Sequence, residues 1–404
     1  MTWRRRFLKG AAMNNFEFCL PTRVVFGKDS AADTGRLVKQ AGCNKVFIVY
    51  GSDRVKKDGL LNTVEKSLIE AGISYEEFGG VKPNPLLSHA EEGVKKAHDF
   101  GADLILGVGG GSVIDTAKGI AHGLANPEAS LWDIWTKKVT LTGSTPVGAV
   151  LTIPAAGSEM SDSAVLTNEA TGQKFGLNSE FNRCVFAIED PSLASTLPAW
   201  QLKNGIVDIM MHTMERYFIS GVKADLTDRI AEGVIKTTRD CGLKVLEDPE
   251  DIDAMAELWW CSSLSHNNLT ECGRGKDFSV HKLGMALSAF FDYTHGATLS
   301  AVWASWARYL YKDCIDRFAQ YARMVWDIKE DDDEKAAVAG INATEGFFRS
   351  IEMPVSLHEL GLEDPDEETL QKLALHATLN DTVKLSRIRP LSSADVVEIY
   401  KMAR

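Results

Sequence analysis

The sequence predicts an α/β domain built on a parallel sheet, followed by an all-α domain. Short β-branched runs alternate with helix-spaced segments through the first half, the order that lays helices on the faces of a parallel sheet. One strand–helix junction is a run of three glycines, Gly109-Gly110-Gly111. From Pro198 onward the pattern is one of long helices, with no strand signal.

Taken in chain order, Val46-Phe47-Ile48-Val49-Tyr50 predicts a strand, and Gly51-Ser52-Asp53 turns the chain. Residues 60–71 have helical spacing that stops at Gly72, and residues 73–78 are extended. Lys82-Pro83-Asn84-Pro85 is a loop, because two prolines forbid regular hydrogen bonding there. A helix follows over 88–100, with Ser88 as N-cap and Glu91 three residues on. Residues 104–108 and 149–153 predict strands, with a helix over 113–125 between them. The second half predicts helices over 204–220, 226–246, 254–269, 278–291 and 297–311. The boundary falls near Asp190-Pro191, giving domains of residues 13–190 and 191–404.

Bulk composition narrows the function classes. The chain has 404 residues, 45% apolar and 25% charged, the profile of a globular protein with room for two domains. Its formal net charge of −12 argues against nucleic acid or an anionic membrane as the main partner, since both reward Lys and Arg. No apolar run approaches the roughly 20 residues of a membrane span. The seven cysteines, Cys19, Cys43, Cys184, Cys241, Cys261, Cys272 and Cys314, are scattered and form no C-x-x-C pair, which suits a reducing, cytoplasmic compartment. Arg4-Arg5-Arg6-Phe7-Leu8-Lys9 is similar to a twin-arginine export motif, but Asn14-Asn15 cuts short the apolar segment such a signal needs. Residues 1–12 are therefore expected to be a disordered leader.

The glycine junction is the first chemical signal. Asp103-Leu104-Ile105-Leu106-Gly107-Val108 runs into Gly109-Gly110-Gly111-Ser112 and then Val113-Ile114-Asp115-Thr116-Ala117-Lys118. Glycines let a backbone approach a ligand closely, and the N–H groups and dipole of a helix start favour an anion such as a pyrophosphate. Ser112 stands where the last glycine of a G-x-G-x-x-G fingerprint would be, and a plain tight turn has the same composition. Earlier in the domain, Asp53 suits hydrogen bonds from an adenosine ribose, whereas Arg54 suits a 2′-phosphate. A solvated polar turn accounts for either residue alone.

The second signal lies in Gly205-Ile206-Val207-Asp208-Ile209-Met210-Met211-His212-Thr213-Met214-Glu215, apolar on nearly every face and so a buried helix. Asp208 and His212 are four apart and share a face, with Cβ atoms about 6 Å apart. Buried polar groups need partners; a metal would satisfy both, and so would an Asp–His hydrogen bond in a helical core. Two further histidines, His281 and His295, stand on separate apolar stretches of the same domain. Three imidazoles and one carboxylate suit Fe²⁺, Zn²⁺ or a similar ion.

Together with Val81-Lys82-Pro83-Asn84-Pro85, Gly157-Ser158-Glu159-Met160 and Ala187-Ile188-Glu189-Asp190-Pro191, these motifs make the chain, from about Asn14 nearly to its end, resemble the iron-containing alcohol dehydrogenase family, in its butanol-dehydrogenase-like branch. The resemblance implies an α/β dinucleotide-binding domain and an all-α metal-binding domain. It implies hydride transfer between an alcohol or aldehyde and NAD(P), with one divalent metal, Fe²⁺ or Zn²⁺, as Lewis acid on the substrate oxygen. The implied ligands are Asp208, His212, His281 and His295, of which His281 and His295 also border the reacting centre. Gly109, Gly110, Gly111 and Ser112 would hold the pyrophosphate, and Gly51, Ser52, Asp53, Asn84, Asp115, Thr152 and Lys174 would lie along the cofactor. The branch leans to NADP(H), with Ser52 in place of an acid and Arg54 nearby. Family members are commonly dimers or larger, and the strand near Arg23-Val24-Val25-Phe26 is a candidate to pair across a homodimer.

Two positions depart from the family pattern. Where the family often has a histidine one turn after the third ligand, this chain has Met285, whose thioether relays no protons at neutral pH; water or His266 would then serve. Ala156 replaces the usual threonine before Gly157-Ser158-Glu159. Competing readings are a dehydroquinate synthase-like lyase, which wants further basic residues around a phosphate-bearing substrate, and a cofactor- and metal-binding protein that has lost turnover.

Overall fold

A computed structural model describes residues 12–404. The expected leader over residues 1–12 falls, Ala12 apart, outside the described residues. The strands are β1 (Arg23–Phe26), β2 (Lys45–Tyr50), β3 (Ser74–Phe78), β4 (Leu104–Gly109), β5 (Val147–Leu151), β6 (Ser163–Asn168), β7 (Gln173–Asn178) and β8 (Phe186–Glu189). The helices used below are α1 (Leu60–Glu70), α2 (Leu87–Phe100), α3 (Gly111–Ala125), α4 (Ala199–Tyr217), α5 (Asp225–Glu247), α6 (Ile252–Ser265), α7 (Ser279–Phe291), α8 (His295–Leu310) and α9 (Ile315–Val325). The described residues form two compact units. One comprises residues 19–205 with 244–267; the other comprises residues 12–18, 206–243 and 268–404.

In the first unit, six strands form one sheet in the order β1-β8-β5-β4-β2-β3. Every neighbouring pair is parallel. Helices on both faces bury the central strands, so these read as continuous apolar runs; all of β4 and all of β2 but Lys45 are buried. Val46, Ile48, Leu104, Leu106, Val108 and Ile188 pack with Leu61, Val64 and Leu68 of α1 in one core. The chain leaves β2 for the edge strand β3, then returns past β2 to β4. The β2–β4 seam, in register at Tyr50 and Val108, is therefore a topological switch point. The loops after two such strands diverge and leave a crevice for a ligand.

An antiparallel hairpin, β6–β7, stands apart from the sheet. Helix α3 ties to it through Lys118, whose buried ammonium donates to the Ser158 and Ser163 carbonyls, both at 2.7 Å. A second buried group lies at the end of β8. The Ser263 hydroxyl sits 2.8 Å from Glu159 Oε1 and 3.0 Å from Glu189 Oε1, and both carboxyls are fully buried. Burial pushes both above the ordinary carboxylate range, Glu189 well above it, where the nearby Glu159 charge adds to the effect.

The second unit is helical throughout, and no strand occurs after Glu189 among the described residues. An aromatic cluster holds α8 and α9 to the end of α4: Phe218 stacks on Phe318 at 4.3 Å and meets Trp306 at 6.1 Å and Tyr321 at 5.0 Å. Asp228 of α5, a buried charge, is satisfied by bonds of 2.7 Å from both terminal nitrogens of Arg317 and by a third from Arg274.

Among the helix starts that differ from the sequence expectation, two have a clear structural cause. The N-cap of α2 is Leu86, and the Ser88 hydroxyl bonds to Glu169 instead, so a partner distant in sequence takes the expected cap. Helix α3 begins at Gly111 rather than residue 113, because the Val113 and Ile114 N–H groups both bond to the Gly110 carbonyl.

Candidate metal and cofactor site

The glycine turn closes β4 onto α3 at the switch point. A Cβ at Gly109 would meet Val113 Cγ2 at 2.6 Å, and one at Gly110 would meet Ile153 Cγ2 at 2.6 Å. Glycine is thus required by close packing. Gly110 is the N-cap and offers no side-chain acceptor, which leaves the positive end of α3 to a ligand. Neighbouring segments gather here. The Thr152 N–H donates to the Gly109 carbonyl at 3.2 Å. Gly51 lies against the Val81 carbonyl and Val113, with its would-be Cβ 3.4 Å and 3.6 Å away. Lys174 of β7 donates to Asn84 Oδ1 at 2.8 Å, and Asn84 itself holds a left-handed φ of 56°.

The remaining cofactor candidates divide by environment. Asp115 accepts from Ser158 Oγ at 2.6 Å and from the Val165 N–H at 2.9 Å, so its carboxylate braces α3 against the β6 strand. Ser52 and Asp53 are exposed beyond β2. Arg54 donates to the Thr196 carbonyl and hydroxyl at 2.6 Å and 2.7 Å and to Asp58 at 3.1 Å, which fixes its guanidinium near that turn.

The second unit holds the other cluster. Helix α4 presents Asp208 and His212 on one buried face, Asp208 Oδ1 and His212 Nδ1 being 3.5 Å apart. Helix α7 brings His281 Nε2 to 3.5 Å from the same Asp208 oxygen, and the first residue of α8 brings His295 Nε2 to 3.7 Å. One ligand atom from each of Asp208, His281 and His295 lies within 4.8 Å of the others. The His212 and His281 rings stack at 4.5 Å, and His281 and His295 stand 5.2 Å apart. Asp208, His281 and His295 therefore form one cluster, and His212 lies beside it with its Nδ1 3.5 Å from Asp208 Oδ1. Asp208 Oδ1 and His281 Nε2 are buried without a hydrogen bond. Each such group costs about 1–3 kcal/mol unless something else satisfies it, and a divalent cation at their common focus does so.

Sequence reading missed a residue here. Glu215, one turn beyond His212 and fully buried, accepts from His281 Nδ1 and from the His281 N–H, the latter at 3.2 Å. A carboxylate on one ring nitrogen fixes the tautomer and turns the lone pair of the other toward a metal. Of the residues that depart from the family pattern, Met285 is buried on α7, one turn past His281. Ala156 lies beside the glycine turn, 3.2 Å from where a Cβ on Gly111 would sit, and His266 packs on Gly157.

The profile of iron-containing alcohol dehydrogenases matches residues 21–191, and that of the C-terminal part of the Fe-containing alcohol dehydrogenase family matches residues 203–404. The chain belongs to the iron-containing alcohol dehydrogenase family. Membership makes it a metal-dependent, NAD(P)-linked oxidoreductase of the alcohol dehydrogenase type. It is 35% identical over 392 residues to NADH-dependent butanol dehydrogenase A of Clostridium acetobutylicum, across 96% of this chain and 99% of that protein. It is 36% identical over 366 residues to the NADPH-dependent aldehyde reductase YqhD of Escherichia coli, across 89% of this chain and 92% of that protein. The crystal structure of NADH-dependent butanol dehydrogenase A from Thermotoga maritima superposes with a TM-score of 0.92 at 36% identity, over 97% of this chain and 99% of that one.

Proposed function

We propose that this iron-containing alcohol dehydrogenase interconverts a small aldehyde and its alcohol, with Asp208, His212, His281 and His295 holding one Fe²⁺ or Zn²⁺. The observation that carries this is the convergence of a buried, unsatisfied carboxylate oxygen and imidazole nitrogen with two further imidazoles. When bound, the nicotinamide carries the hydride and the metal supplies Lewis acidity at the substrate oxygen. The protein's part is positioning. Glu215 presents His281 Nε2, Asp208 balances the cation, and the buried faces of α4 and α7 keep bulk water from the ligands. The Gly109–Ser112 turn supplies backbone N–H groups to a pyrophosphate, with Gly51, Ser52, Asp53, Asn84, Asp115, Thr152 and Lys174 along the cofactor.

Protein stripped of metal is to be assayed with short aldehydes and NADH or NADPH; full activity without metal would sink this reading. Replacing His281 by Ala should abolish metal loading while the chain still folds, and retention of stoichiometric metal would contradict the ligand assignment.

The cofactor is NAD(P), and the polar turn after β2 leans to NADP(H): Ser52 is neutral and Arg54 stands nearby, against the opposing carboxylate of Asp53. Initial rates with both reduced cofactors check this, and a preference for NADH refutes it. Met285 supplies no proton at its position, so proton transfer to the substrate oxygen falls to water or to another residue. A panel of linear, branched, hydroxylated and acidic aldehydes reads the substrate pocket, and cofactor binding without turnover across all of them would overturn the enzymatic reading. The enzyme is further assigned to the cytoplasm, where its seven cysteines stay free thiols. It is assigned as a homodimer through the outer edge of β1, whose inner edge pairs with β8. A single sedimenting species of monomer mass would refute the dimer.

A further inference from the structure

Phe278 is the N-cap of α7 and holds φ 63°, a left-handed conformation that a bulky side chain rarely adopts. It makes no side-chain cap, so helix capping does not explain a phenyl ring at a place suited to glycine or asparagine. Strain of this kind persists where the surrounding structure uses it. The ring shows the use. One neighbour is His281, at 4.9 Å between centroids, and another is His212, at 6.0 Å. The Arg216 guanidinium also lies over the ring, 4.8 Å from its centroid. Arg216 is fully buried and fixed in turn by Glu271 at 3.0 Å and the His212 carbonyl at 2.8 Å. A desolvated cation on an aromatic face is a strong contact.

We propose that Phe278 is a positioning residue of the metal centre: clamped by Arg216, its ring sets the orientation of the His212 and His281 imidazoles and so tunes metal affinity. Glu215 fixes His281 through its Nδ1, whereas Phe278 packs tilted against both imidazole rings. The two residues hold the same histidine by different means.

This rests on the ligand assignment above, and the experiment separates the two. Metal affinity is measured by chelator competition with Zn²⁺ on the full chain, and the visible spectrum is recorded with Co²⁺. The parent protein binding no metal at unit stoichiometry would sink the ligand assignment itself. Phe278→Gly removes the ring where the backbone already suits glycine, and the relieved backbone offsets part of the lost contact with Arg216, so affinity is read against the unfolding midpoint of the metal-free variant. It is expected to lose about 10-fold or more in affinity, the usual effect of losing an outer-shell support, and to shift the Co²⁺ bands. Phe278→Tyr keeps the ring and should retain both. Parental affinity and spectrum in Phe278→Gly overturn the proposal, as does an equal loss in Phe278→Tyr, or a loss that merely follows a fall in the unfolding midpoint of the metal-free protein.

Discussion

Glu215 reaches His281 from a different helix, and that distance in sequence is why spacing does not reveal it. Asp208 and His212 are legible because one helix carries both, one turn apart. Glu215 lies a further turn along the same helix, yet the atom it serves is 66 residues away. His281 and His295 are likewise implied only by the family resemblance, since nothing in periodicity ties α7 or α8 to α4. At this scale Glu215→Gln is the informative change. It keeps the volume but weakens the bond that sets the tautomer, and metal affinity should fall by about 10- to 100-fold. Competition with a chelator at fixed pH checks this; unchanged affinity would make Glu215 a bystander.

At the level of elements, the strand–glycine–helix junction is well marked in the sequence because both its ends carry strong signals: a buried strand and an apolar helix start. The β6–β7 hairpin is not. Burial alternates over Ala164 and Leu166 in β6, but in β7 the buried residues are Lys174 and Leu177, three apart and one of them charged, so no period runs through the hairpin. Gly110→Ala tests the junction. The added methyl would lie 2.6 Å from Ile153 Cγ2, a branch methyl held by a stiff χ1, so the turn itself must give, at a cost of about 1–3 kcal/mol. The turn would no longer approach a pyrophosphate closely, and KM for the nicotinamide cofactor should rise several-fold (about 1 kcal/mol of binding) with kcat less affected. Equal KM values would remove the turn from the cofactor site. Gly157 is a harder case: it holds φ 61°, and its would-be Cβ lies 2.6 Å from the Ser262 backbone carbonyl. Gly157→Ala should cost about 1–3 kcal/mol, read as a shift of the urea midpoint.

For the whole molecule, stability depends on pH and on metal. Glu159 and Glu189 take up protons more readily folded than unfolded, because burial raises both. Their contribution is greatest at and below the ordinary carboxylate pKa and declines as pH rises through their folded values. Glu189→Gln removes that decline, so it should gain stability relative to the parent as pH rises above the ordinary carboxylate range. Urea titrations at matched ionic strength measure the difference, and a difference independent of pH would refute the assignment. Metal loading should raise the unfolding free energy by about 2.7 kcal/mol at a hundredfold excess over Kd; identical melting of metal-free and metal-loaded protein would contradict a folded-state site. The α/β-then-α order was legible, since it lies in the hydrophobic periods. The allegiance of α6 was not. Its composition resembles that of its helical neighbours, and only its partners reveal it: Trp260 meets Phe26 at 6.3 Å, and Ser263 joins Glu159 and Glu189.

That allegiance has a consequence for biosynthesis. Domains commonly fold in order as the chain leaves the ribosome, at about 5–20 residues per second. Here the sheet-bearing unit must wait for residues 244–267, while residues 206–243, which belong to the other unit, have already emerged. For several seconds the nascent chain carries a complete sheet whose last helix is still being made, with Glu159 and Glu189 lacking Ser263. A chain truncated after Gly205 is a stable mimic of that moment, and it should be retained by chaperones rather than released as a cooperatively folded fragment.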